Sequence, residues 1–226
     1  SAGTVLSINA PNTGYSGIFL GDPESEAQGQ IKQVHSDNTM QFCTQGGLTE
    51  MTLKSSKLGI GTTSPSHPLH VVSSGNGEIK AERTGGTAIL TQAQASLGRF
   101  GTTTNHNLQL MTNSSGRMTI TTAGRVGIGT ASPLDILHIV SASGDVRQLM
   151  DAPAGSDAEI KFAEDGTVKF TVGHDAATDS LVIGTTNVDT QKRFEINASG
   201  VIKFNGAYSF PTSDGSANQV LQTDGS

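Results

Sequence analysis

The chain lacks tryptophan and contains only two tyrosines and one cysteine among its 226 residues. The lone Cys43 has no intrachain disulfide partner, and its apolar neighbours indicate a small buried side chain rather than a catalytic thiol. Leu, Ile, Val and Phe together make up only about a fifth of the residues, close to the level below which chains stay disordered. A compact domain of this length normally buries more apolar surface. We therefore expect a fold that takes part of its burial from copies of itself, or a shallow repeat.

Several functional classes are excluded by what the sequence does not contain. The net charge is −6 and no run of basic residues occurs, so nucleic acid is not expected as a partner. No apolar stretch approaches the roughly 20 residues of a membrane span, so membrane insertion is not expected either. No Gly-x-Ser-x-Gly elbow, phosphate loop or His-Glu-x-x-His motif is present. We expect a protein that is not an enzyme, with no catalytic, cofactor-binding or metal-binding residues and no cofactor.

An internal repeat is the most informative feature of the sequence. The segment Leu58–Val72 recurs as Val126–Val140 at an offset of 68 residues, with nine of fifteen positions identical and no gap. The run Phe194–Ile196 occupies the slot of Met51–Leu53 within a third, more diverged copy. The repeat predicts modules over 1–68, 69–136 and 137–206, followed by a connector over 207–226.

Within each module the hydrophobic pattern predicts β-strands. Thr167–Val172 alternates apolar and polar residues with period two, which is typical of a half-buried strand. The preceding Glu164-Asp165-Gly166 predicts a hairpin turn, because Asp-Gly accepts positive φ angles. We assign Ala88–Leu97 to a strand despite its helix-forming residues, and leave Asp145–Met150 open between strand and helix. The Gly-Ile-Gly runs predict close approach of another backbone, which in a self-associated fibre comes from a neighbouring chain.

The run Gly-Ile-Gly-Thr-(Thr/Ala)-Ser-Pro, followed by Leu-His-(Val/Ile), resembles repeated modules of bacteriophage tail fibres. These modules are of the kind found upstream of an endosialidase-type intramolecular chaperone. Ser7–Ala10, Gly17–Asp22 and Val34–Asn38 resemble the opening of such a module, and Ala207–Ser226 resembles the connector that leads into the chaperone. The resemblance extends over nearly the whole chain.

The resemblance implies an all-β, elongated and intertwined parallel homotrimer of repeated β modules, as in a β-prism or triple-stranded β-helix shaft. It also implies a structural or adhesive viral protein that is assembled in the host cytoplasm and located in the virion. Its expected partners are sister chains, other tail proteins, and a glycan or protein receptor on the host surface. The chain is then a piece of a longer protein, whose chaperone follows residue 226. The alternatives are a tailspike that binds or degrades polysaccharide and a trimeric bacterial surface adhesin.

Two groups of histidines are candidates for ion binding. His70 and His138 occupy equivalent repeat positions, where alternation places each imidazole opposite the apolar pair. We expect strand residues that are exposed or line a groove, because a metal or anion site on a trimer axis requires the opposite, inward orientation. His35, His106 and His174 also align across the modules, and there we expect turn hydrogen bonds to a carboxylate or to the backbone.

The segment Asp22–Glu26 is the acidic candidate. It lacks the Gly-enabled turn and downstream acid of a calcium loop. A glycosidase carboxylate pair also needs a groove with aromatic platforms, which so few aromatic residues do not favour. We therefore expect a structural loop there.

Overall fold

A computed structural model describes residues 8–22, 25–44, 48–205 and 208–209. Within these residues the protein is all-β, with nineteen strands and no helix, so the expected fold class is confirmed at that level. No helix that could cross a membrane occurs in this part of the chain. Residue contacts divide the chain into two units, Ser1–Gly144 and Asp145–Ser226, each of which is described separately.

The first unit begins with a six-stranded sheet in which every strand pairs with its neighbour in sequence. The strands are β1 Tyr15–Asp22, β2 Ser25–Val34, β3 Thr39–Thr44, β4 Leu48–Lys54, β5 Lys57–Ile60 and β6 Leu69–Val71. All the pairs are antiparallel except β5–β6, which is parallel.

The same unit continues with a three-stranded and a four-stranded sheet. The three-stranded sheet contains β7 Gly77–Glu82, β8 Ala88–Ala93 and β9 Gly98–Thr102. The four-stranded sheet contains β10 Leu108–Thr112, β11 Ser115–Ile120, β12 Val126–Ile128 and β13 Leu137–Ile139. Its last pair, β12–β13, is parallel, like its counterpart β5–β6.

The second unit holds another six-stranded sheet, in which every neighbouring pair is antiparallel. Its strands are β14 Ala158–Glu164, β15 Thr167–Asp175, β16 Ser180–Gly184, β17 Lys192–Asn197, β18 Ile202–Phe204 and β19 Tyr208–Ser209.

The local predictions have mixed outcomes. The hairpin is confirmed, since Asp165 and Gly166 join β14 to β15 with φ angles of 47° and 73°, as a primed two-residue turn requires. The strand assigned within Ala88–Leu97 is confirmed as β8. Asp145–Met150 forms neither helix nor strand.

The sheets end slightly later than the predicted module boundaries at 68/69 and 136/137. Leu69 and Leu137 begin the strands β6 and β13, which pair with β5 and β12. A sheet therefore includes the first few residues assigned to the next repeat.

The crossovers between the parallel strands explain the Gly-Ile-Gly runs. Residues 61–68 connect β5 to β6, and residues 129–136 connect β12 to β13, shorter than the dozen or more residues of usual parallel connections. A Cβ on Gly59 would lie 2.5 Å from the Thr62 carbonyl oxygen, and one on Gly127 would lie 2.3 Å from that of Thr130. The backbone that approaches these glycines therefore belongs to the same chain, not to a neighbouring one.

Candidate assembly interface

Each sheet has one face made of large apolar side chains, which we call the apolar face. In the first sheet, residues directly opposite one another on successive strands form an unbroken apolar row. The row is Ile18, Ile31, Phe42, Met51, Ile60 and Val71. Directly opposite side chains are the contacts that stabilise a sheet, yet the row stays partly open: Ile18, Ile31 and Ile60 are 49%, 38% and 37% exposed.

The four-stranded sheet repeats the arrangement. All eight residues at the paired positions of its apolar face are hydrophobic. They form the rows Leu108, Ile120, Val126, Leu137 and Leu110, Met118, Ile128, Ile139. In the neighbouring three-stranded sheet, Ile79, Ile89 and Phe100 share one face and all three are exposed.

The second unit has an equivalent apolar face. Its central row is Ile160, Val172, Ile183, Phe194 and Phe204. The rings of Phe194 and Phe204 make an edge-on contact, with centroids 5.5 Å apart. Leu181 on the same face is 50% exposed. Among the described residues no Leu, Ile, Met or Phe side chain is buried, so this part of the chain does not contain a conventional hydrophobic core.

The opposite, polar face of each sheet is the face that the chain covers itself. In the first sheet it carries Gln41, Thr52, Gly59 and His70 in one row, and the equivalent row of the four-stranded sheet is Gln109, Thr119, Gly127 and His138. Thr52 is completely buried and Thr119 nearly so. Small side chains leave room for the crossover loops to lie against this face.

In the strand over Thr167–Val172, too, the polar face is the covered one. Its period-two alternation is present, but Thr171 is fully buried while Phe170 is 53% exposed. The Thr171 hydroxyl donates to the carbonyl oxygen of Thr186 at 3.0 Å, because the β16–β17 loop lies over the polar face. No element of the second unit covers Phe170 in the same way within the described residues.

His70 and His138 anchor the crossover loops. The Nδ1 atom of His70 accepts the backbone N–H of Ser66 at 3.3 Å, and that of His138 accepts the N–H of Leu134 at 3.3 Å. Both imidazoles lie on the polar face, as the alternation predicted. They are therefore not part of the surface that would line a trimer axis.

The other three aligned histidines each contact a polar side chain. His174 Nε2 lies 2.9 Å from the Asp179 carboxylate across the β15–β16 turn, as predicted. His35 Nε2 instead contacts the Ser16 hydroxyl at 2.8 Å, and His106 Nδ1 contacts the Thr104 hydroxyl at 3.0 Å.

Two remaining candidates have simple outcomes. Cys43 is buried as expected, and its sulfur lies 3.6 Å from the Thr49 hydroxyl. The acidic side chains of Asp22–Glu26 lie outside the described residues.

An acidic cluster that the sequence did not predict lies in the second unit. Asp157, Asp175 and Asp189 each place one carboxylate oxygen within 4.8 Å of the others. Oxygen ligands of this kind suit a hard cation such as Ca²⁺ or Mg²⁺. However, Lys192 forms ion pairs with both Asp175 and Glu195, so a positive charge is already present beside the buried carboxylate.

Hydrogen bonds make Asp175 the anchor of this cluster. Burial opposes its ionisation, but Lys192, the Thr178 hydroxyl and the backbone N–H groups of Ala177 and Thr178 outweigh burial and lower its pKa to about 2. The neighbouring negative charge of Asp157 is the main cause that raises the pKa of Asp189. The network ties the end of β15 to β17, which is a structural role.

Comparisons with known proteins add no family assignment. No protein-family model matches the chain. No curated protein matches it at a significant level.

Proposed function

We propose that this chain is a structural and adhesive segment of a bacteriophage tail fibre, assembled as an elongated, intertwined parallel homotrimer. In the virion it projects or forms a surface that binds a glycan or protein receptor of the host, and it contacts other tail proteins. The resemblance of the repeats supports the class of protein. The uncovered apolar faces support the self-association.

The proposal depends on a single observation: the sheets bury their polar faces and leave their apolar faces exposed. A single-layer sheet with one apolar face needs a partner layer, since large contiguous apolar patches are rare on the surface of monomers. Covering a half-exposed Ile or Phe side chain contributes about 1 kcal/mol. The central row of the second unit holds three such residues, Ile160, Ile183 and Phe204, which are 45%, 37% and 42% exposed.

A closed trimer satisfies this geometry with identical copies. Three equivalent sheets can each turn the apolar face towards a common axis, which leaves the polar faces and their crossover loops outside. Closed cyclic symmetry is the usual arrangement of homo-oligomers. The proposal therefore places the loops 61–68 and 129–136 on the outside of the fibre.

Multi-angle light scattering of purified protein and variants tests the proposal. Ile183→Lys puts a charge into the central row of the second unit, and we expect loss of the trimer. Thr167→Lys introduces the same charge at an exposed position outside that row and serves as the matched control. A trimer that survives Ile183→Lys as well as it survives Thr167→Lys contradicts the proposed interface.

The enzymatic alternative has its own test. Incubation with candidate host glycans, followed by chromatography of the products, would show cleavage if the chain were a polysaccharide-degrading tailspike. We expect intact glycan, and turnover would contradict the assignment as a non-enzymatic segment.

A further inference from the structure

Two aromatic residues break the pattern that otherwise governs this protein. The described phenylalanines Phe42, Phe100, Phe162, Phe170, Phe194 and Phe204 all share faces with large aliphatic residues, on the apolar faces. Phe19 is the exception, because it lies on the polar face of the first sheet together with Tyr15. Burial against a sister chain, which accounts for the other phenylalanines, does not account for these two.

The two rings form a small exposed platform on the edge strand β1. Tyr15 and Phe19 are 54% and 41% exposed, and their ring centroids lie 5.8 Å apart with the planes tilted by 45°. Gly17 lies between them on the same face, so the rings converge above a residue that has no side chain. A Cβ at Gly17 would lie 2.8 Å from the Ile31 carbonyl oxygen and 2.9 Å from the Cβ of Lys32, so β2 approaches β1 closely at this position.

Polar groups surround the platform. Lys32 is directly opposite Gly17, and its Nζ lies 5.7 Å from the centroid of the Tyr15 ring. Gln30 is directly opposite Phe19 and is half-buried. Lys32 forms no ion pair among the described residues, so its charge is available to a ligand.

The chemistry of this patch matches an acidic sugar. A pyranose ring has a face of C–H groups, which packs on an aromatic ring, and a rim of hydroxyl groups, which hydrogen-bond to amides. The ammonium group of Lys32 adds a charge-assisted hydrogen bond to a carboxylate. It also disfavours a cationic ligand, because the Lys32 ammonium group already lies beside the Tyr15 ring, where such a cation would bind.

We propose that Tyr15, Phe19, Lys32 and Gln30 form a binding site for a carboxylate-bearing sugar residue of a glycan. The inference rests on the proposed function, since a trimer closed through the apolar faces leaves this polar-face platform exposed. Three copies in one trimer would bind a polymeric glycan more strongly than one copy, through effective concentration.

Tyrosine fluorescence gives a local readout of this site. The chain has no tryptophan and only two tyrosines, so Tyr208→Phe leaves Tyr15 as the sole fluorescent reporter. This protein, in its assembled state, is titrated with three probes. Two are acidic, a hyaluronan hexasaccharide and an α2,8-linked sialic acid hexamer, and chitohexaose is the neutral control. We expect a saturable change in Tyr15 emission with at least one acidic probe and a much smaller change with chitohexaose.

Side-chain variants in the same background identify the contacts. Lys32→Met should weaken binding about tenfold or more, since a hydrogen bond to a charged group contributes at least that factor. Phe19→Leu removes the ring on which the sugar packs and should weaken binding about threefold or more. Lys54→Met removes a lysine from the same sheet, one that is paired with Asp37. It should leave the affinity unchanged, so it controls for a general loss of positive charge.

Three results would overturn the site. They are no saturable change with either acidic probe, equal binding of the neutral probe, or protection of Tyr15 from acrylamide quenching in the assembled protein, which would mean that a sister chain covers it. Light scattering on the same samples reports assembly independently. A trimer without sugar binding refutes only the site, and a monomer refutes the proposed function.

Discussion

Substitution of Gly127 by alanine tests how the crossover loop packs on the sheet. Gly127 lies in β12, opposite Thr119, and an added Cβ would be 2.3 Å from the Thr130 carbonyl oxygen and 3.0 Å from the Thr130 Cγ2. Ordinary contact begins near 3.4 Å, so the loop must move away by about 1 Å. Overpacking of this kind costs about 1–3 kcal/mol, and here the obstacle is backbone, which cannot rotate away.

Gly101→Ala is the matched control for this substitution. Gly101 also lies within a strand, has no heavy atom within 4 Å of an added Cβ, and does not have a positive φ. Alanine there should be neutral or stabilise the fold by about 0.4–1 kcal/mol, because it restricts the unfolded chain. Urea unfolding followed by circular dichroism, at one protein concentration because the proposed assembly would add to stability, should place Gly127→Ala at least 1 kcal/mol below Gly101→Ala. Equal midpoints would refute the packing of the loop against Gly127.

Two further predictions concern the polar groups. His138→Ala removes the acceptor for the Leu134 N–H, and we expect about 1 kcal/mol lower stability and faster exchange of that amide proton by NMR; unchanged exchange would contradict the anchor. Asp175 has a pKa lowered from 3.8 to about 2 in the folded protein, so its contribution is present above pH 3.8 and is lost as the pH falls towards 2. Between pH 5 and pH 2 the free energy of unfolding should therefore fall by about 2 kcal/mol more for the wild type than for Asp175→Asn. An equal fall in the two proteins would contradict the lowered pKa of Asp175.

The strand content and the repeat could be predicted because they depend on local sequence. Alternation over Thr167–Val172 and the Asp165–Gly166 turn set the hairpin without reference to distant residues. The equivalence of His70 and His138 was also visible, since both follow the same Gly-Ile-Gly run. In the structure each imidazole accepts a hydrogen bond from the backbone N–H of the residue four positions earlier.

The burial of each face could not be predicted in the same way. Alternation separates Phe170 from Thr171, but it does not show that a loop of the same chain lies over Thr171. Likewise, the glycine of each Gly-Ile-Gly run predicts a close backbone without identifying its source. The source is the short crossover loop that packs against Gly59 or Gly127. Connections between parallel strands are usually longer, so the sequence did not suggest this contact.

The acidic cluster depends on contacts between distant residues. Asp157, Asp175 and Asp189 are separated by more than a dozen residues each and come together only when β14, β15 and the β16–β17 loop are in place. Lys192 is similarly placed by the start of β17. A pattern search over short windows does not detect such a set.

The most direct test of the account is the mass of the purified chain in solution as a function of dilution. Sedimentation equilibrium should show three times the 23.3 kDa chain mass, about 70 kDa, wherever circular dichroism shows folded strands. Dissociation should coincide with loss of strand signal, because the described residues of one chain bury no Leu, Ile, Met or Phe side chain. A monomer that keeps its strand signal would contradict the account.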